Sequence, residues 1–138
     1  MNTVIPLLMV VDDDEDIREV LKLFLEAEGY RVITAADGRE AWQQLQTSER
    51  PSLILLDLMM PVMDGEQFIK AMRRSPLTNI PVVIMSGHRE AADKVIELNA
   101  NCCLMKPVEY DDLMAVVHRF APAGQAAVET SRKRDKKG

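Results

Sequence analysis

Five short apolar runs alternate with amphipathic segments along most of the chain. The runs cover 7–11, 30–35, 52–56, 81–85 and 102–105, and polar or turn residues bound each of them. Runs of this length, mostly without internal alternation, are typical of strands in a parallel sheet that is covered on both faces. The pattern therefore predicts five parallel strands separated by helices.

The first amphipathic segment has apolar residues at the i, i+3, i+4 and i+7 spacing of a helix: Ile17, Val20, Leu21 and Phe24. Gly29 predicts where this helix ends. Four later segments are also predicted to be helices. The second has Ala41 and Leu45 on its apolar face with Trp42 half-buried beside them, and the third begins at Asp64, continues through Phe68 and Met72 and stops at Ser75–Pro76. The fourth covers about 88–98 with Asn99 as a left-handed cap, and the fifth has the apolar residues Leu113, Val117 and Phe120. Strict strand–helix alternation predicts an α/β fold, a doubly wound parallel sheet of five strands with five helices.

Composition and charge narrow the class of protein. The chain is 47% hydrophobic and 28% charged, which is typical of a folded domain rather than of disorder. It has neither an apolar stretch near the roughly 20 residues of a membrane span nor a basic secretory leader, so we expect a cytoplasmic protein. Residues 1–120, the predicted domain, have 12 basic and 20 acidic residues, whereas 121–138 form a basic tail that we expect to be flexible. An acidic domain is not expected to bind nucleic acid or a membrane itself.

Polar residues stand where the predicted strands end. The first strand is predicted to end in Asp12 and Asp13, the third in Asp57, the fourth in Ser86 and the fifth in Lys106–Pro107. Ligands of open α/β sheets bind at this edge, and carboxylates crowded together there recruit a cation. Oxygen ligands open to water suit Mg²⁺, so carboxylates, metal, lysine and hydroxyl together predict phosphoryl transfer. Asp57 is the candidate nucleophile because it stands alone after the most apolar run.

Four stretches carry a resemblance to a known family: LLMVVDDDEDIRE, LILLDLMMPVMDG, VVIMSGH and LMKP. In this order and spacing they resemble the receiver domain of two-component response regulators over about residues 5–120. The resemblance implies strand order 2-1-3-4-5. It also implies that Mg²⁺ is bound by Asp13, Asp57 and the backbone carbonyl of Met59, with Asp12 acting through a water on the metal.

The resemblance further implies how the phosphoryl group is handled. Asp57 would accept it from a sensor histidine kinase or a phosphotransfer protein, and slow Mg²⁺-dependent autodephosphorylation would remove it. Ser86 would turn toward the group, Lys106 would form an ion pair with it, and the Lys106–Pro107 bond would be cis. In the family, Met59 and His88 stand where side chains line the path of the hydrolytic water.

One position departs from the family pattern. Cys103 stands three residues before the lysine, where the family usually has a tyrosine or phenylalanine whose rotation reports phosphorylation. Cys102 and Cys103 are expected to be two small buried strand residues rather than a disulfide or a metal site. His88 and His118 are expected to be surface histidines rather than phosphoryl carriers.

We therefore predict a phosphorylation-controlled switch, not a turnover enzyme, that acts on protein partners or passes its phosphoryl group along a phosphorelay. No output domain is expected after residue 121. A haloacid-dehalogenase-like phosphatase is disfavoured because that family has a second aspartate where this chain has Met59. A binding module that works without phosphorylation is the alternative, and Cys103 favours it.

Overall fold

Strands and helices alternate strictly in the computed structural model, which describes residues 5–60, 63–87 and 91–122. In chain order the elements are β1 (Leu7–Val11), α1 (Glu15–Ala27), β2 (Arg31–Ala35), α2 (Gly38–Thr47), β3 (Leu53–Asp57), α3 (Gly65–Arg73), β4 (Val82–Ser86), α4 (Ala91–Glu97), β5 (Cys102–Met105) and α5 (Tyr110–Phe120). The five strands form one parallel sheet in the order β2-β1-β3-β4-β5. The predicted fold class and strand order are confirmed.

The apolar strands face two separate halves of the core. Met9, Val11 and Ile54 lie on the face covered by α2, α3 and the end of α4. Their neighbours Leu8 and Leu55 lie on the face covered by α1 and α5. Because successive strand residues point to opposite faces and both faces are covered, every residue of β1, β3 and β4 is buried. This explains why the runs lack alternation.

Helix boundaries largely follow the predicted signals. Asp64 caps α3 in a capping box with Gln67, and Asp14 caps α1. Gly29 after α1 and Asn99 after α4 both have positive φ, at 95° and 56°, which confirms the two left-handed stops. The predicted beginning of α4 lies outside the described residues.

Some strand and helix boundaries differ from the prediction. β3 and β4 end at Asp57 and Ser86 as predicted, since Asp57 pairs with Met85 and Ser86 pairs with Met105. β1 and β5, in contrast, end one residue before Asp12 and Lys106. α3 ends at Arg73, before the predicted Ser75–Pro76 stop, and the Ser75 amide and hydroxyl both donate to the carbonyl of Met72.

Three apolar side chains are less buried than their spacing predicts. Val20 is 47% exposed, since the buried stripe of α1 consists of Leu21 and Leu25. Cys102 and Cys103 are free and half-buried rather than buried, because β5 is an edge strand paired on one side only within the described residues.

Two other predicted exposures are confirmed, since Trp42 is half-buried and His118 is exposed. No helix in the described part of the chain is long and apolar enough to cross a membrane.

A buried hydrogen bond joins two distant parts of the chain. The Tyr30 hydroxyl, just before β2, donates to the backbone carbonyl of Ala121 at 2.8 Å, just after α5. Burial, helped by the negative charge of Glu28, raises the pKa of Tyr30 to about 12. The free phenol titrates near pH 10, so unfolding allows ionisation that the folded state resists.

We expect Tyr30→Phe to lower the free energy of unfolding by about 1–2 kcal/mol, since it leaves the Ala121 carbonyl without this donor. The stabilisation by Tyr30 should be complete below pH 10 and fade as the pH rises from about 10 towards 12. Denaturant titrations across this range should therefore converge for the two proteins at high pH. Tyr110→Phe is the comparison, because the exposed Tyr110 hydroxyl donates to the Glu28 carboxylate rather than to a buried carbonyl, and its smaller gap from wild type should also close at high pH. A constant gap between wild type and Tyr30→Phe would contradict this account of Tyr30.

Candidate functional site

The carboxyl edge of the sheet brings together the polar residues that the sequence singled out. Asp12 directly follows β1, Asp57 ends β3, Ser86 ends β4 and Lys106 directly follows β5. Asp12, Asp57 and Ser86 are the buried polar or charged residues in the described part of the chain. They lie together because β1, β3, β4 and β5 are consecutive neighbours in a parallel sheet.

Lys106 lies between the two buried carboxylates. Its Nζ is 2.7 Å from Asp12 Oδ2 and 3.5 Å from Asp57 Oδ2. Burial lowers the pKa of Lys106, but the hydrogen bond and charge of Asp12, together with the charge of Asp57, outweigh burial and raise it. The lysine therefore stays protonated and stabilises two carboxylates that would otherwise repel each other.

Asp57 has an unusual electrostatic environment for a carboxylate. Burial raises its pKa most strongly, and the charge of Asp12 adds to the effect. A hydrogen bond from the Met59 amide to Asp57 Oδ1, at 3.1 Å, and the charge of Lys106 oppose the rise without cancelling it. A carboxylate that is poorly solvated and only partly neutralised is a better nucleophile than one in bulk water.

The carboxylates also form a candidate cation site. Oxygens of Asp12, Asp13 and Asp57 all lie within 4.8 Å of one another, and Asp13 is exposed. Three carboxylates carry more negative charge than one ammonium neutralises, and hard oxygen ligands beside water suit Mg²⁺. The residues present therefore fit a magnesium ion.

Gly65, the first residue of α3, lies close to the backbone of Asp57 and Leu58. The Gly65 amide donates to the Leu58 carbonyl at 3.1 Å. A Cβ on Gly65 would lie 2.4 Å from the Asp57 carbonyl oxygen and 2.8 Å from the Leu58 Cα, so only glycine fits there. The start of α3 is thus packed directly against the backbone of the candidate nucleophile.

Two residues highlighted in the sequence lie at the margin of this site. The Met59 side chain is 67% exposed, and its backbone amide is the group that contacts Asp57. The Lys106–Pro107 bond is cis, as the resemblance implied. His88 lies outside the described residues.

Cys103 lies on β5, half-buried against the core face that includes Ile84. Burial raises the pKa of its thiol, with a further contribution from Cys102. A neutral thiol on an edge strand behaves as a small apolar side chain and does not reach as far as an aromatic ring.

Sequence reasoning missed two contacts around the site. Arg18 Nη1 donates to the backbone carbonyl of Asp12 at 2.8 Å. Lys94 forms ion pairs with Glu66, at 3.4 Å, and with Glu97, and it lines a cavity of about 140 Å³ beside Ser86. Arg18 follows Asp12 by only six residues, and this short separation was the one signal in the sequence for the contact between them. The signal is weak because an arginine on a helix is usually exposed to solvent.

The sequence profile of the response regulator receiver domain matches residues 8–118. The chain belongs to this family. Receiver domains accept a phosphoryl group in two-component signalling, bind Mg²⁺ in an acidic pocket and interact with histidine kinases and downstream targets. They are phosphoacceptors rather than turnover enzymes.

Curated relatives include transcriptional regulators. The Haemophilus influenzae homolog of transcriptional regulatory protein CpxR is 41% identical over 110 residues, with 78% of this chain and 47% of that protein aligned. Alkaline phosphatase synthesis transcriptional regulatory protein PhoP of Bacillus subtilis is 37% identical over 126 residues, with 90% and 52% aligned. The chain thus spans about half the length of these relatives, and the expectation that it does not bind nucleic acid finds no support among them.

Solved structures agree with the fold. The structure of chemotaxis protein CheY4 from Vibrio cholerae is 32% identical, superposes with a TM-score of 0.78, and covers 85% of this receiver and 99% of that chain. The family profile and the solved structures therefore both place this chain among receiver domains.

Proposed function

We propose that this receiver domain is a phosphorylation-controlled signalling switch in which Asp57 accepts the phosphoryl group of a sensor histidine kinase or a phosphotransfer protein. The observation that carries the proposal is the position of the Asp57 carboxylate, buried at the end of β3 and 3.5 Å from the Lys106 ammonium. An Asp57 oxygen would attack phosphorus, forming a P–O bond while the P–N bond to the donor histidine breaks. The electrons of the P–N bond stay on the histidine nitrogen. The histidine leaves as a neutral imidazole, in which the other ring nitrogen carries the proton.

The neighbouring residues have separate roles in this proposal. Asp13, Asp57 and the Met59 carbonyl would hold Mg²⁺, with Asp12 acting on it through a water. The ion supplies positive charge beside the phosphoryl oxygens and so lowers the repulsion between two anions. Lys106 would transfer its ion pair from the carboxylates to the phosphoryl group, and Ser86 would hydrogen-bond to it.

Residues 1–120 form the receiver domain in this proposal, and 121–138 a basic tail. Output would go through protein partners or onward along a phosphorelay, and the cytoplasmic location stays a prediction. Residues 123–138 lie outside the described part of the chain. A receiver-like module that binds its partner without phosphorylation is the second candidate, because the half-buried Cys103 replaces the usual aromatic ring.

Asp57 should be the single phosphorylated residue. Wild type incubated with acetyl phosphate and Mg²⁺ should gain one phosphoryl group by intact mass, and omission of the metal should prevent it, because the attacking carboxylate and the phosphoryl group repel each other. Asp57→Asn should gain none. Asp111→Asn, which removes an exposed carboxylate on α5, should behave as wild type. Labelling of Asp57→Asn would exclude this assignment.

Lys106→Ala should leave Mg²⁺ affinity unchanged or raise it, because a positive charge beside the carboxylates is lost. The same variant should accumulate less phosphorylated protein, since nothing replaces the ammonium beside the phosphoryl group. Calorimetric titration with Mg²⁺ and intact mass measure the two effects. Lys70→Ala, an exposed lysine paired with Glu66, is the matched control. A large fall in Mg²⁺ affinity in folded Lys106→Ala would count against this role.

Phosphorylation should move β5 and α5 less than the segment that follows Asp57. Cys103 lacks a ring that can fill or leave a pocket, whereas the Met59 amide donates to the Asp57 carboxylate and Gly65 packs against the Asp57 carbonyl. Amide NMR shifts with and without beryllofluoride should therefore be largest at Met59, at Gly65 and around Ser86. The Cys103→Tyr variant, which restores an aromatic ring, should show larger shifts across β5 and α5. Shifts in β5 and α5 of the wild type as large as those at Met59 and Gly65 would show that another residue carries the switch.

A further inference from the structure

We infer that Arg18 is a positioning residue, which holds the peptide between Asp12 and Asp13 in the orientation that binding of a divalent cation requires. The inference rests on the proposed function, because it concerns the cation site beside Asp57. The contact that carries it is the hydrogen bond from Arg18 Nη1 to the backbone carbonyl of Asp12, at 2.8 Å.

The pairing of β1 with its neighbouring strands ends at Val11, one residue before Asp12. β1 pairs with both neighbouring strands up to Val11, and the Asp12 amide still donates to the Ala35 carbonyl at 3.1 Å. The Asp12 carbonyl lies beyond that ladder, although Asp12 itself is fully buried. A buried carbonyl needs a donor, and within the described residues Arg18 supplies it.

The beginning of α1 holds Asp12 at two points. The Asp14 amide donates to Asp12 Oδ1 at 2.9 Å, and Asp14 is also the N-cap of the helix that carries Arg18. The backbone carbonyl and the carboxylate of Asp12 are thus both bonded to residues at the start of α1. Arg18 is half-buried, and its own amide donates to the Asp14 carbonyl.

Asp13 depends on this arrangement more than Asp12 does. Its side chain is exposed, and no side-chain hydrogen bond or ion pair to it is seen in the described part of the chain. A planar peptide that accepts a bond on its carbonyl has a fixed orientation on its amide side as well. The Arg18 contact therefore helps to fix the backbone position from which the Asp13 side chain extends. The Asp13 carboxylate is one of the three whose oxygens lie within 4.8 Å of one another.

Charge and geometry make opposite predictions for this residue. An arginine beside three carboxylates repels a divalent cation, so removal of the charge alone would tighten binding of Mg²⁺. Loss of the hydrogen bond would free the Asp12–Asp13 peptide and weaken binding. The sign of the change in affinity therefore distinguishes a positioning role from a purely electrostatic one.

Calorimetric titration of the full chain with MgCl₂ tests the inference. We expect Arg18→Gln to bind Mg²⁺ about tenfold more weakly than wild type and Arg18→Lys, which keeps a donor and the charge, to recover most of the loss. Lys22→Gln removes the same charge one turn further along α1 and should bind as tightly as wild type or slightly tighter. Arg18→Met keeps the aliphatic stem and tests the same contact if Arg18→Gln does not fold, as checked by thermal unfolding without metal.

Labelling by acetyl phosphate gives a second readout. Arg18→Gln should need more Mg²⁺ for half-maximal labelling but reach the wild-type rate when Mg²⁺ is saturating. Unchanged or tighter Mg²⁺ binding in folded Arg18→Gln or Arg18→Met would overturn the inference and leave the proposed function intact. So would an altered dependence on acetyl phosphate alone, which would mean that Arg18 binds the donor. Absence of Mg²⁺ binding and of labelling in wild type would overturn both proposals.

Discussion

Two carboxylates buried side by side repel each other, and Lys106 makes their burial tolerable by lying within reach of both. Its ammonium is 2.7 Å from Asp12 and 3.5 Å from Asp57, so a single cation faces two anions. Asp13 adds a third carboxylate at the exposed side. The surplus negative charge suits a divalent cation, and the same lysine can neutralise a phosphoryl group once one is attached.

The parallel sheet assembles these charges at one edge. Because β1 pairs with β3, β3 with β4 and β4 with β5, residues far apart in the chain end their strands side by side. Helices cover both faces of the sheet, so a strand that slipped by one residue would move each side chain into the opposite half of the core, among neighbours of a different shape. The register that buries the core therefore also sets the spacing of the site.

The site is bonded most directly to the elements that flank it. Asp57 accepts from the Met59 amide and has Gly65 packed against its carbonyl, while Asp12 is held through Asp14 and Arg18 at the start of α1. Cys103 is on an edge strand and contacts the core with a small side chain. The backbone hydrogen bond to the Asp57 carboxylate that the described residues show therefore comes from Met59 and not from β5.

The sequence alone determined the order and type of the elements, the caps at Asp64, Gly29 and Asn99, and the polar residues that end the strands. These follow from local patterns: apolar runs, helical spacing, and residues that favour a cap or a left-handed conformation. Only the tertiary structure decided that β1 and β5 end one residue before Asp12 and Lys106, since their pairing with neighbouring strands stops at Val11 and Met105. It also decided that Val20 and the two cysteines are less buried than their spacing predicts, because exposure depends on what packs against a face. The bonds from Tyr30 to Ala121 and from Arg18 to Asp12 join groups whose separation in space no local pattern encodes.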